Sequence, residues 1–199
     1  MVKFRKRRDI MEGLINRITI WLIQKDVIHE KEQAIYHYGL EIFFSTALVS
    51  VSFLILATIF DRVCETIAFF ASFVFIRKYA GGYHAKYRLT CFLCSIGSYL
   101  IFLAFLSNVP KNLMGIIGLW CTIISALIII TFAPIIHPNR NATVNDKQYF
   151  KKMCRYICCV ETVFIFIGIL HEINIEMVFS VSLGLSFAAI ALILEKLKI

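Results

Sequence analysis

The stretch LMGIIGLWCTIISALIIITFAPII, residues 113–136, decides the fold. It runs 24 residues without a charge. As an α-helix it would be about 36 Å long, enough to cross a hydrocarbon core about 30 Å thick. Five more blocks of this kind flank it, at 39–60, 63–76, 89–107, 156–171 and 177–194. The chain as a whole is 59% hydrophobic and 17% charged. A soluble domain is nearer half apolar and a quarter charged, so that class is excluded. The pattern predicts an all-α, polytopic membrane helical bundle of about six transmembrane helices. It forms one integral-membrane domain over 1–199, with the spans inside 39–194. The blocks at 63–76 and 156–171 are short for a full crossing. They are expected to be tilted, broken or partly re-entrant, and a four-span arrangement ranks second.

The charges between the blocks give an orientation. Residues 1–38 hold eight Lys and Arg, 77–88 hold four, 137–155 hold five and 195–199 hold two. The remaining segments, 61–62, 108–112 and 172–176, hold two of the 21 between them. Positive charge stays on the cytoplasmic side of a membrane. Both termini and the 77–88 and 137–155 loops are therefore expected in the cytoplasm, in a protein of the cytoplasmic membrane. The net charge of +8 then reads as orientation and contact with anionic membrane lipid, with no nucleic acid as partner.

Residues 1–36 form a basic cytoplasmic or interfacial segment. Lys3, Arg5, Lys6, Arg7 and Arg8 lead into a helical periodicity over 10–24. Ile10, Met11, Leu14, Ile15, Ile18, Trp21 and Leu22 share one face, which predicts an amphipathic helix lying in the membrane interface. Glu12, Asn16 and Arg17 break that stretch, so no cleavable signal peptide is expected. The seven cysteines have no regular spacing, which argues against a disulfide framework.

The densest polar cluster beside an apolar block is RKYAGGYHAKYRLTC, residues 77–91. It holds a Gly-Gly pair, His84, Cys91 and the cations Arg77, Lys78, Lys86 and Arg88. A thiolate, not a thiol, is the nucleophile of a cysteine protease, and a nearby imidazole or cation favours it. His84 could take the thiol proton and return it to a leaving amine. Positions seven apart on one helix lie about 10.5 Å apart along the axis, too far for a hydrogen bond. The chain is therefore expected to turn near Gly81-Gly82, or to unwind between 84 and 91, so that His84 folds back over Cys91. Exposed N–H groups of Gly81 or Gly82 could donate to an oxyanion, with Arg77 helping to position the site. On these residues alone, a loop histidine and a buried cysteine with no role stand as the competing reading.

Arg77, Gly81-Gly82, His84 and Cys91 together resemble the signature of the AgrB-type accessory gene regulator proteins. The likeness extends to chain length, the basic amphipathic start, the several spans and the Ala133-Pro134 step before a basic loop. The resemblance implies that His84 and Cys91 are a catalytic pair. It implies a membrane thiol endopeptidase of quorum sensing that removes the C-terminal tail of an AgrD-like precursor peptide. That cleavage helps close the precursor into a cyclic thiolactone or lactone signal. It further allows for a homodimer and implies an acidic tail on the substrate; Lys147, Lys151 and Lys152, with Lys86 and Arg88, are candidate cations for that tail, while membrane orientation alone is the plainer reading of the 137–155 cations. Neither a metal nor a cofactor is implied.

Cys94 forms Cys-x-x-Cys with Cys91, but no second pair follows at zinc spacing, so Cys94 is read as a packing residue. No third member orienting His84 stands out among Glu65, Ser72, Asn145, Asp146 and Glu161. His137 and His171 flank spans and are read as interfacial; His29 and His37 have no partner at a telling spacing. The main alternative function is a small non-enzymatic transporter or export component. No pair of broken helices in matching halves supports it. A scaffold for a membrane complex would leave 77–91 without purpose.

Overall fold

A computed structural model describes residues 10–81, 88–135, 144–171 and 173–198. Its helices are α1 (Ile10–Gln24), α2 (Gln33–Ile59), α3 (Val63–Ala80), α4 (Arg88–Asn108), α5 (Lys111–Phe132), α6 (Val144–Leu170) and α7 (Ile175–Lys198). Among the described residues there is no strand. The chain divides into two compact units, residues 1–52 and 53–199.

In the first unit α1 covers the periodic segment and stops where Asp26 takes a left-handed backbone (φ 54°). A 3₁₀ turn, Glu30–Glu32, leads into α2, and the Glu32 carboxylate accepts the His29 N–H at 3.2 Å. Trp21 is exposed.

In the second unit α7 is the hub. Val178 through Leu185 are all buried, as a helix hydrophobic on every side requires. It packs against α3, α5, α6 and α4. Lipid tails are as apolar as leucine, so burial alone does not drive helices together in a bilayer. Close packing and interhelical hydrogen bonds do. Gly184 shows the first: a Cβ there would stand 2.6 Å from the Phe69 carbonyl oxygen and 2.8 Å from the Ser72 Cβ. Ser125 donates to Ser186 at 3.0 Å, and Thr66 and Tyr99 share a hydrogen bond of 2.8 Å. α5 shows the resulting pattern. Met114, Gly118, Thr122, Ser125 and Ile129 form its buried stripe, while Ile116, Trp120 and Leu127 stay exposed. Small and polar residues face inward and bulky apolar ones outward, as suits lipid.

The starts of α3, α5 and α7 meet at one end of this unit. The Arg62 guanidinium lies 3.0 Å from Glu176 and 3.2 Å from Glu65, and Lys111 reaches Glu176 at 3.4 Å. Burial opposes the Arg62 charge, but Glu176 and then Glu65 outweigh it and raise its pKa. At the other end the Ile135 N–H donates to the Ala80 carbonyl at 2.9 Å, and the Lys196 ammonium sits 3.7 Å over the Phe132 ring. α4 and α6 run the opposite way. Tyr99 reaches Thr66, and Glu161 meets Ser72 while Phe150 packs near Tyr79.

Five helices, α2 and α4 to α7, are long and apolar enough to cross a membrane. α3 carries Glu65, Arg77 and Lys78, yet it is continuous and matches α5 at both ends, over about 27 Å. The six apolar blocks thus correspond to six helices of a multi-pass membrane protein. The block at 156–171 is not short either. It is the apolar part of the 27-residue α6, whose first turns bear the exposed Lys147, Lys151 and Lys152.

Candidate functional site

The last turn of α3 carries Arg77, Lys78, Tyr79 and Ala80, and the helix stops where the Gly81 N–H donates to the Arg77 carbonyl at 3.1 Å. Gly81 adopts φ +82° and ψ −164°, a conformation that strains residues with a side chain. Space forbids one as well, because a Cβ on Gly81 would collide with the Ile135 carbonyl oxygen. The exit of α3 is thus joined to the exit of α5. α5 closes with the Ala133 N–H on the Ile129 carbonyl at 2.9 Å, and a cis Ala133–Pro134 bond follows. Proline supplies no N–H, and the helix ends there.

Arg77 leans back along α3, its guanidinium carbon 5.4 Å over the Phe73 ring. Burial lowers the Arg77 pKa, and electrostatic interaction with Cys91 and then Glu195 opposes that shift. Cys91 is the fourth residue of α4 and is half-buried. The first turn of a helix has unpaired N–H groups and the positive end of the macrodipole, which favour a negative charge. Glu195 lies on the last turns of α7 and is 5% exposed.

Beside this corner lies a cavity of about 360 Å³, lined by Ala133, Pro134, Lys147, Gln148 and Lys151. Tyr79 bridges the two regions, with ring centroids 6.4 Å from Tyr149 and 6.3 Å from Phe150 at the start of α6. Two walls of one corner are therefore the α3 exit and the lysine-bearing turns of α6.

Of the residues singled out in the sequence, the fold brings Arg77, Gly81 and Cys91 to one end of the unit, with Lys147 and Lys151 beside them. Lys152 is exposed on α6 and does not line the cavity. Gly82, His84 and Lys86 lie outside the described residues, as does the side chain of Arg88. Glu65 is at the far end of α3, paired with Arg62. Ser72 and Glu161 bond to each other at 2.7 Å, about 7.5 Å along α3 from Arg77. Asn145 and Asp146 are exposed at the start of α6. Cys94 is exposed, like its neighbour Leu93 on α4, rather than packed. Cys154 and Cys158 are the buried cysteines, in a cluster with Ile76, Ala80 and Leu192.

Glu195 and Ile135 were not among the expected site residues. Glu195 had a signal. Leu185, Ala188, Ala189 and Leu192 form a buried stripe at helical spacing, and position 195 continues it. Ile135 had none, since its part is played by backbone atoms.

The family model for accessory gene regulator B matches residues 15–192. A putative AgrB-like protein 2 of Clostridium perfringens is 24% identical over 165 residues, covering 80% of this chain and 76% of that protein. Protein FsrB of Enterococcus faecalis is 29% identical over 127 residues, covering 61% and 52%. A further putative AgrB-like protein of Clostridium perfringens is 24% identical over 148 residues, covering 72% and 68%. No solved structure matches the chain. The match covers the bundle and the site corner alike, and the chain belongs to the accessory gene regulator B family.

Proposed function

We propose that the chain is the thiol endopeptidase of an accessory gene regulator quorum-sensing system, acting on an AgrD-like precursor peptide at the cytoplasmic face of the cell membrane. The observation that supports this reading is that Arg77, on the last turn of α3 before the glycine turn at Gly81, interacts electrostatically with Cys91 at the start of α4. A cation near a sulfur at a helix start stabilises negative charge on that sulfur.

In this mechanism His84 takes the Cys91 proton, and the thiolate attacks the carbonyl carbon of the scissile bond. The negative oxygen of the tetrahedral intermediate is met by backbone N–H groups of the Gly81-Gly82 turn, with Arg77 adding positive field. The C–N bond then breaks. The leaving amine of the tail takes the proton from His84, and the precursor head remains as a thioester on Cys91. An internal thiol or hydroxyl of the head gives its proton to His84 and attacks that thioester, the Cys91 sulfur leaves and takes that proton back, and a thiolactone or lactone closes. A site at the membrane edge limits water, which would otherwise hydrolyse the thioester. Lys147, Lys151 and Lys152, with Lys86 and Arg88, hold the acidic tail, and the cavity against Ala133 and Pro134 supports a seat for it. The enzyme works as a homodimer in contact with anionic lipid.

The test is co-expression with a candidate precursor. Cys91→Ala and His84→Ala should insert at the parental level and leave the precursor uncut. Normal processing by either variant overturns the mechanism.

A further inference from the structure

We propose that Glu161 stands in the membrane core as a neutral carboxylic acid: it binds a proton there and donates it, as a hydrogen bond, to the Ser72 hydroxyl. The site joins α6 to α3 and α7, and it is independent of the thiol mechanism.

A count of donors carries the inference. Ser72 is 3% exposed. Its Oγ lies 2.7 Å from Glu161 Oε2 and 3.1 Å from the Val181 carbonyl oxygen. A serine hydroxyl has one proton to donate, and a carbonyl oxygen only accepts. The Ser72 proton therefore goes to Val181. The contact with Glu161 then needs a second proton, and the carboxyl is the group that holds it. The backbone of α7 is shaped for this approach. Gly184 follows Val181 by three residues, and a Cβ there would stand 3.0 Å from Ser72 Oγ. The missing side chain lets the hydroxyl reach the α7 carbonyl.

The surroundings favour the neutral form. Glu161 precedes Leu170, the end of α6, by nine residues, about 13.5 Å along the axis. That is near the middle of a hydrocarbon core about 30 Å thick, where an unpaired charge is costly. Among the described residues no ion pair joins Glu161 to a cation. On α6 its buried neighbours, one and two turns back, are the thiols of Cys158 and Cys154, while Arg155 is exposed. On α3 the charged residue nearest Ser72 is Arg77, about 7.5 Å along the helix. On α7 the charged residue nearest Val181 is Glu176, which is held by Arg62 and Lys111. Glu161 is also one rung of a regular seam. Cys154 and Cys158 share a cluster with Ile76 and Ala80, and Phe150 packs near Tyr79. A neutral acid completes that dry seam between α3 and α6 without burying a charge.

The test is the infrared difference spectrum, at neutral pH, of the purified full chain minus its Glu161→Gln variant, in a detergent without ester or acid groups. The expected result is one carboxylic-acid C=O band in the parent, with no carboxylate band lost. Ser72→Ala should shift or abolish that band, because the acid proton loses its acceptor. Carboxylate bands in place of the acid band overturn the proposal, as does an acid band that Ser72→Ala leaves unmoved. Should Glu161→Gln fail to accumulate, Glu161→Asp carries the test: it should move the acid band, and a difference confined to carboxylate bands overturns. The spectrum needs no precursor, so its outcome and that of Cys91→Ala on processing stand or fall separately.

Discussion

Gly81 and Ile135 meet backbone to backbone: the Ile135 carbonyl oxygen occupies the space where a side chain at 81 would begin. The Ile135 N–H meanwhile donates to the Ala80 carbonyl at 2.9 Å. The glycine turn that leads toward His84 is thereby seamed to the Ala133-Pro134 step that leads toward the lysines of α6. The exits of α3 and α5 are held to each other at this point.

Gly81→Ala should therefore be severe. The backbone region of Gly81 is essentially glycine's alone and costs roughly 1–3 kcal/mol for a residue with a side chain, before the clash with Ile135 is counted. Precursor processing per inserted molecule should fall more than about ten-fold. Comparing processing at matched membrane levels checks this, and a parental rate would show that the seam does not serve the site.

Two other glycines separate packing from propensity. Gly184→Ala drives a methyl into the Phe69 carbonyl and Ser72, so it should destabilise the chain by about 1–3 kcal/mol. Gly97→Ala meets nothing within 4 Å on α4 and should stabilise by about 0.5–1 kcal/mol through helix propensity. Thermal unfolding of both variants in detergent should move in opposite directions from the parent.

Lys147 and Lys151 line the cavity and Lys152 does not. Charge removal at the first two, as the Lys147→Ala, Lys151→Ala double variant, should raise KM for an acidic-tailed precursor about ten-fold with kcat little changed, because the contact is remote from the reacting bond. Lys152→Ala should shift KM less. A precursor with a neutralised tail should erase the difference between parent and double variant.

Orientation has its own reporters. Cys64, at the start of α3, and Cys91, at the start of α4, lie at opposite ends of the second unit. A membrane-impermeant thiol reagent added to intact cells should label the exposed Cys64 and spare Cys91. Inside-out vesicles should reverse the pattern. Labelling of Cys91 from outside would invert the topology.

Much of the bundle was legible because apolar blocks with few charges have few folded outcomes in a membrane. Residues 113–136 predicted α5 and its end at Pro134, and the periodicity over 10–24 predicted α1. The length of α6 was not legible. Its first turns, with Asp146, Lys147, Lys151 and Lys152, are polar, and hydropathy cannot distinguish a polar helix from a loop. The continuity of α3 was hidden for a related reason: Glu65, Arg77 and Lys78 dilute its hydropathy, while Arg62 and Glu65 are satisfied by partners distant in sequence or one turn away. Within the site, Arg77, Gly81 and Cys91 could be singled out because their chemistry and spacing are local. Glu195 could not be placed near the α3 exit from spacing, since only the packing of α7 on α3 brings it there. His84 and Gly82 lie outside the described residues, so their part stays with the proposal.

Intact-mass measurement on the purified full chain, mixed with a synthetic precursor and quenched in acid, tests the thiol mechanism most directly. The expected result is a mass gain equal to the precursor head, mapped to the peptide that contains Cys91, removed by hydroxylamine and absent from Cys91→Ala. Precursor cleavage with no adduct at Cys91, persisting in Cys91→Ala, would contradict it.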